Sequence, residues 1–428
     1  MKKNGFRGIA ALVFALGIIA VGFTGCDFLE DFVRMQGGDQ PTVFFSGTLG
    51  KEDSAIDKIW AAKDEDTVSL TLKKGVETEM VELGQEDKDL LAVGLVLNSD
   101  NSPANVTIDG NGREVTLTGT NTSNAPLITV GDGVTLTLTN ITFKGMAANT
   151  ASLIRVNTGG TLYMESGTWL TGNKSQNGGG VYVDTGGTLY MESGADLTDN
   201  KSDGGGGVYV RGTFNMNGGT IRNNEVANGD GGGVYVDTGG TLIMESGAYL
   251  TDNKSGGGVY VYKGTFNMND GTISRNKAAY TTGASQSNKG HDGGVYVGNG
   301  TTFIMKKGTI SDNETDNSKS SGHGGGVHVL MSTFEMKNGI ISGNKTGPSG
   351  KGSGGGVYSG SSTFKKTGGT IYGQEATEAL KNRSGNGNNY GHAVCTINGI
   401  RDSTAGEYDD LDSTNSTKGP GPDGGGWE

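Results

Sequence analysis

The residues of this 428-residue chain with the widest chemical reach are four histidines, two cysteines and a recurring set of acids. His291 and His323 each stand four residues before the valine that opens a "VYV" or "VHV" line. In consecutive stacked strands they would lie about 4.8 Å apart, near enough to share one divalent metal. A copied polar loop position explains the same spacing without a metal. Asp184, Asp237, Glu165, Glu192 and Glu245 are residue types that serve acid–base work or calcium binding in polysaccharide-cleaving enzymes. They recur because a whole line recurs: "VYVDTGGTLYMESG" at 181–194 returns at 234–247 with one change. A catalytic centre needs a few residues unique to one place. There is no hydrolase motif, no nine-residue calcium-binding period and no Walker lysine pattern. The sequence thus points away from catalysis: the expectation is no enzyme, no catalytic residue, no cofactor and no metal.

The tyrosines are more informative. Tyr182, Tyr209, Tyr235, Tyr260, Tyr296 and Tyr358 hold the middle position of the repeated line, a place taken by Arg155 and His328 in two other copies. Between two inward residues of a strand, the middle side chain points outward. Six tyrosines then form a candidate binding stripe for a glycan or a partner protein. Aromatic residues also suit strands, and cross-strand pairs stabilise one another by about 0.2–1 kcal/mol, so the stripe has a local explanation too. Asn173, Asn200, Asn224, Asn253, Asn276, Asn313 and Asn344 each follow an apolar residue by three positions. Stacked in register, they read as a structural ladder that satisfies turn backbone groups.

What positions these residues is a repeat. The anchors Ile128, Ile154, Val181, Val208, Val234, Val259, Val295, Val327 and Val357 are spaced 25 to 27 residues apart, then 30 to 36. Such a period means stacked units that cannot bury an apolar face alone. Each unit holds three short period-two pieces separated by glycine turns, too short for helices and suited to strands. Leu162, Leu189, Phe214 and their successors make one inward column, and Met164, Met191, Met216 and theirs make another. The 80 glycines follow no Gly-X-Y period, so collagen is excluded. Stacking predicts an all-β parallel solenoid of roughly ten coils. "SAIDKIWAA" predicts a short N-terminal capping helix with Ser54 as its cap and Ile56, Ile59 and Trp60 on one face. An irregular C-terminal cap follows, with a short helix over 375–382 and a last strand in "HAVCTI". Three insertions, "KAAYTTGASQSNKGHD", "ETDNSKSSGHG" and "KTGPSGKGSG", all leave at one corner beside the tyrosine strand, and solenoid insertions on one face are often the binding side.

The N-terminus is read separately. Lys2, Lys3 and Arg7 precede an apolar run from Ile9 to Phe23, as in an export signal. The "FTGC" that follows resembles the lipobox of bacterial lipoproteins, with Phe23 where that family prefers Leu. That resemblance implies cleavage before Cys26, lipidation of its thiol and acylation of its new amine. Loss of residues 1–25 removes three positive charges and takes the formal net charge from −12 to −15. No basic patch stands out, so nucleic acid is not an expected partner. Cys395 then remains as the single thiol.

The "GGGV" openings and the Leu/Ile-x-x-Asn closings, over roughly residues 120–375, resemble the repeats of polymorphic outer-membrane proteins and of right-handed β-helix lipoproteins. The resemblance implies a single-stranded right-handed parallel β-helix. The C-terminal "STNSTKGPGPDGGGWE" takes the place of that family's membrane barrel, so attachment would be by lipid. The organisation expected is a signal peptide at 1–25, a lipidated tether at 26–41, an N-terminal cap with irregular coils at 42–119, regular repeats at 120–375, a C-terminal cap at 376–400 and a flexible acidic, Gly-rich tail at 401–428. The expected role is a non-catalytic adhesion or interaction surface, lipid-anchored at the outer membrane or cell surface. The alternatives are a polysaccharide-acting enzyme of the β-helix class and a structural spacer or variable surface antigen.

Overall fold

The computed structural model describes residues 95–384, apart from breaks at 101, 103, 118–124, 228, 279–292, 316–321, 348–351 and 374–375. It also describes residues 393–398 and the strand backbones at 34–36, 39–45, 67–72, 81–83, 399–403 and 407–411. The chain is an all-β parallel solenoid with no helix among the described residues. Eight turns, from Ile154 to Ile371, carry three strands each. In the two turns before them the second and third strands fuse into single long strands, Asn105–Leu117 and Thr135–Lys144. Counted by turns with three separate strands, the regular coil is about eight, slightly below the roughly ten expected.

The first strands form an eleven-stranded parallel sheet from Leu95–Leu97 to Val394–Ile397. Its register is one-to-one: Val181 pairs with Ile154 and Val208, and Val183 with Val156 and Val210. Alternation then sends both valines of each line into the core. The second strands stack Leu162, Leu189, Phe214, Leu242, Phe266, Phe303, Phe334 and Phe364 in one buried column, with Met164 to Met336 two residues on. Lys366 takes the methionine position in the last regular turn and is also buried. The third strands add Leu170, Leu197, Ile221, Leu250, Ile273, Ile310 and Ile341. One continuous core runs the length of the coil.

The glycines of "GGGV" are fixed by stacking. Gly205 sits at φ 63°, in the left-handed region, and a Cβ there would run into the Val208 carbonyl. A Cβ on Gly206 would meet the Gly232 carbonyl of the next turn. A second corner stands directly before each ladder asparagine. Asp199, Asn223, Asp252, Arg275 and Asp312 there adopt φ between 54° and 58°, and Gly172 and Gly343 take 66° and 65°. Asp, Asn and Gly tolerate this conformation best, with Arg275 the exception, and it turns the following asparagine inward.

A fourth, two-residue ladder runs Lys201–Ser202, Glu225–Val226, Lys254–Ser255, Lys277–Ala278, Glu314–Thr315 and Lys345–Thr346. The expected helix over 375–382 is not formed. Its described part is a single turn in which the Leu380 and Lys381 N–H groups both donate to the Thr377 carbonyl. Asn382 is drawn instead into the asparagine ladder, donating to the carbonyls of Ile341 and Tyr372. The expected capping helix around Ile56 and Trp60 lies outside the described residues. Arg34–Gln36 and Asp39–Phe45 pair antiparallel across the expected tether boundary, and Gly399–Ser403, which spans the expected cap–tail boundary, pairs antiparallel with Glu407–Leu411.

Candidate functional site

The first sheet places Arg155, Tyr182, Tyr209, Tyr235, Tyr260, Tyr296, His328 and Tyr358 on adjacent rungs. The rings stack face to face at the rung spacing. Centroids are 5.2 Å apart for Tyr182–Tyr209, 4.9 Å for Tyr209–Tyr235, 5.0 Å for Tyr235–Tyr260 and 4.5 Å for Tyr260–Tyr296. Arg155 caps the column, with its guanidinium carbon 4.9 Å from the Tyr182 centroid. His328 ends the parallel run, standing edge-on to both Tyr296 and Tyr358.

This geometry changes what the stripe can do. A sugar docks on an open aromatic face, but here the faces of Tyr209, Tyr235 and Tyr260 are covered by neighbouring rings. Tyr260, Tyr296 and His328 are only 4%, 7% and 6% exposed, so the column is less accessible than strand alternation predicts. What it presents are ring edges and hydroxyls, and these are tied down. The Tyr209 hydroxyl donates to Asp237 Oδ2 at 2.8 Å, and Arg211 Nε lies 3.2 Å from the same oxygen. Burial and the neighbouring Asp237 push the pKa values of Tyr209 and Tyr235 well above the usual phenol range. Arg155 makes a 2.6 Å contact with Asp184 Oδ2 and also donates to Asn157. Burial opposes ionisation of Asp184, but the hydrogen bonds from Arg155 and the Thr185 N–H outweigh it and hold the carboxyl below its usual range.

Beyond Arg155 the stack stops and the surface opens into a groove of about 730 Å³, lined among others by Val96, Asp100, Thr129, Asp132, Arg155 and Asp184. Here the outward positions carry Thr129 and Arg155 in place of tyrosine. The groove is polar, with an ion pair at its edge and the capped Tyr182 beside it.

Of the two histidines singled out for metal, His291 lies outside the described residues, as does Cys26. His323 stacks on Tyr358 at 4.3 Å, and its Nδ1 accepts from the Ser353 N–H at 3.2 Å. His328 is buried, and this burial pushes its pKa down to about 3. Cys395 is buried, and its thiol is pushed up to about 12 by the same cause. Among the described residues no group of three or more His, Cys, Asp or Glu is placed to hold a metal ion.

The asparagines are buried and joined into one chain. The Asn224 backbone N–H donates to Asn253 Oδ1 at 3.0 Å, and its Nδ2 donates to the same oxygen at 3.1 Å and to the Leu197 carbonyl at 2.8 Å. Asn200, Asn253, Asn276, Asn313 and Asn344 repeat this pattern. Sequence reasoning missed both ends of the chain, Asn149 and Asn382, because Met146 and Ala379 stand three residues before them in place of the Leu/Ile that marks the regular Leu/Ile-x-x-Asn closing. The three insertions leave from Ala278, Thr315 and Thr346, which stack in register. Sequence reasoning also passed over the outward positions of the third strand, where Trp169 and Tyr249 are exposed.

Comparison with family models, with curated proteins and with solved structures finds no match to this chain.

Proposed function

We propose that this chain is a lipid-anchored, non-catalytic interaction surface displayed outside the cytoplasm. In this reading Cys26 carries the lipid, the solenoid holds the contact region away from the bilayer, and the coil is right-handed, like the repeat proteins its "GGGV" and Leu/Ile-x-x-Asn motifs resemble. The observation that carries it is the first-sheet groove, which opens where the stacked tyrosines give way to Arg155 and Asp184. A polar groove edged by an arginine, carboxylates and an aromatic ring suits hydroxyl-rich or mixed-charge ligands. A second reading, a rigid spacer, is favoured by the closed tyrosine stack, whose faces serve the fold rather than a ligand.

The experiment is retention of the mature protein on immobilised glycans and extracellular-matrix proteins. Arg155→Ala/Asp184→Ala is expected to lower retention by about tenfold or more, as truncation of polar anchors does. The melting temperature should hold, because a partly exposed ion pair contributes little to stability. Retention on nothing leaves the spacer, and retention indifferent to the double substitution refutes the groove as the contact region. Release of reducing or unsaturated sugar from any polysaccharide overturns the non-catalytic reading.

A further inference from the structure

The third strands carry a face unlike that of the first. Trp169, Asp196, Thr220, Tyr249, Thr272 and Thr309 occupy one outward position on six adjacent rungs. Trp169 is 43% exposed and Tyr249 is 50% exposed. Neither ring stacks on another among the described residues, whereas the first-sheet tyrosines spend their faces on each other. Three rungs separate the two rings, about 14 Å at the usual strand spacing. Between them stand Asp196 and Thr220.

Asp196 is the second observation, independent of the aromatic residues. It is 8% exposed; its Oδ2 accepts from Arg222 Nε at 2.8 Å, and its Oδ1 has no hydrogen-bond partner. Burial raises its pKa, and Arg222 offsets this only in part. A buried carboxylate oxygen without a donor costs stability, and a ligand hydroxyl would supply the missing bond once the side chain changes rotamer.

The surrounding chemistry selects the ligand. Two acids on this side are paired with arginines, Asp196 with Arg222 at 2.8 Å and Asp252, at the corner after its strand, with Arg275 at 2.9 Å. Between the rings and beyond them the face offers threonine hydroxyls. A protein partner prefers a contiguous apolar centre with a pocket for its anchor, and two isolated rings about 14 Å apart do not make one. An extended chain of sugars presents apolar C–H faces at intervals with hydroxyls between them, which is the pattern this strand column presents in return. We infer that the third-strand face binds a neutral, extended β-linked polysaccharide lying along the solenoid axis, with sugar rings on Trp169 and Tyr249 and a hydroxyl donating to Asp196. This site is separate from the Arg155–Asp184 groove and does not depend on it.

The test is titration of the mature protein with cellohexaose and with chitohexaose, read by calorimetry and by tryptophan fluorescence. Binding of at least one hexasaccharide is expected, and the two arms separate a glucose polymer from an N-acetylglucosamine polymer. Trp169→Ala and Tyr249→Ala should each weaken binding about tenfold, the upper range for one aromatic contact, and should together abolish it. Trp169→Phe should retain most of the affinity, and Asp196→Asn should weaken binding by removing a charged acceptor. Arg155→Ala/Asp184→Ala should leave hexasaccharide binding unchanged, so failure of the groove reading and failure of this one are distinguishable. Absence of binding to both hexasaccharides, unchanged affinity in Trp169→Ala/Tyr249→Ala, or tighter binding of heparin than of either neutral chain overturns the inference.

Discussion

Each ladder asparagine answers for two groups of its neighbour as well as one of its own. Replacing Asn253 with Leu would strip the acceptor from the Asn224 backbone N–H and from Asn224 Nδ2, and would remove the donor to the Ile221 carbonyl. Buried groups left unpaired cost about 1–3 kcal/mol each, so Asn253→Leu is expected to lower stability by about 3 kcal/mol or more in urea denaturation. A loss under about 1 kcal/mol would mean the ladder is ornamental. His328 makes a different prediction. Tyr296, Tyr358 and His323 surround it, and burial holds its pKa near 3 against an ordinary value of about 6.5. The fold therefore favours the neutral imidazole. Its contribution is complete above about pH 6.5 and is lost as pH falls toward 3. His328→Tyr restores the residue type found on neighbouring rungs and is expected to flatten the fall of melting temperature across that window. An unchanged slope would place the acid sensitivity of that window elsewhere; Asp184 and Asp252, held below their usual range, make both proteins lose stability only at lower pH still. The asparagine positions were legible because their spacing from an apolar residue is regular. The closure of the tyrosine faces was not, since alternation tells which side a ring leaves the strand, not how it tilts onto the next rung.

Among the elements, the second strand carries the largest buried side chains. Phe303 stacks on Phe266 at 4.6 Å and on Phe334 at 4.7 Å. Phe303→Ala is expected to cost about 3–5 kcal/mol through lost transfer energy and a cavity. A solenoid couples mainly nearest neighbours, so the damage should be local. Hydrogen exchange should rise in the turns holding Phe266, Phe303 and Phe334 and stay at the wild-type level around Leu136 and Leu138. Uniform loss of protection would show that the coil melts as one unit. The three main strands of each turn were readable because period-two alternation and glycine breaks mark them. The fourth ladder was not: two residues such as Lys201–Ser202 are too short for any period, and they pair only because the corner before each asparagine brings them into line. The third strand's outward face was overlooked for a related reason. Trp169 and Tyr249 are single events on a threonine-rich column, invisible to a search for repeated residues.

For the whole molecule, attachment is the property most open to test. Expressed in a bacterium with a lipoprotein pathway and fed a palmitate analogue, the wild-type chain is expected to take up label and fractionate with membranes. Cys26→Ser is expected to lose both, because stable anchoring needs more than one acyl chain and an unmodified chain carries none. Label retained in Cys26→Ser would refute the anchor. The sequence by itself determined that this is a stacked parallel solenoid, which residues form its core columns and where its asparagines align, because a period near 26 residues with strict alternation leaves few other ways to bury valine, leucine, phenylalanine and methionine. Tertiary structure alone decided which outward residues remain available. Stacking at the rung distance consumed the faces of Tyr209, Tyr235 and Tyr260, whereas Trp169 and Tyr249, with no ring on the adjacent rungs, kept theirs. Accessibility is a property of neighbours in space, and the repeat that makes every turn alike in sequence does not make every turn alike in what surrounds it.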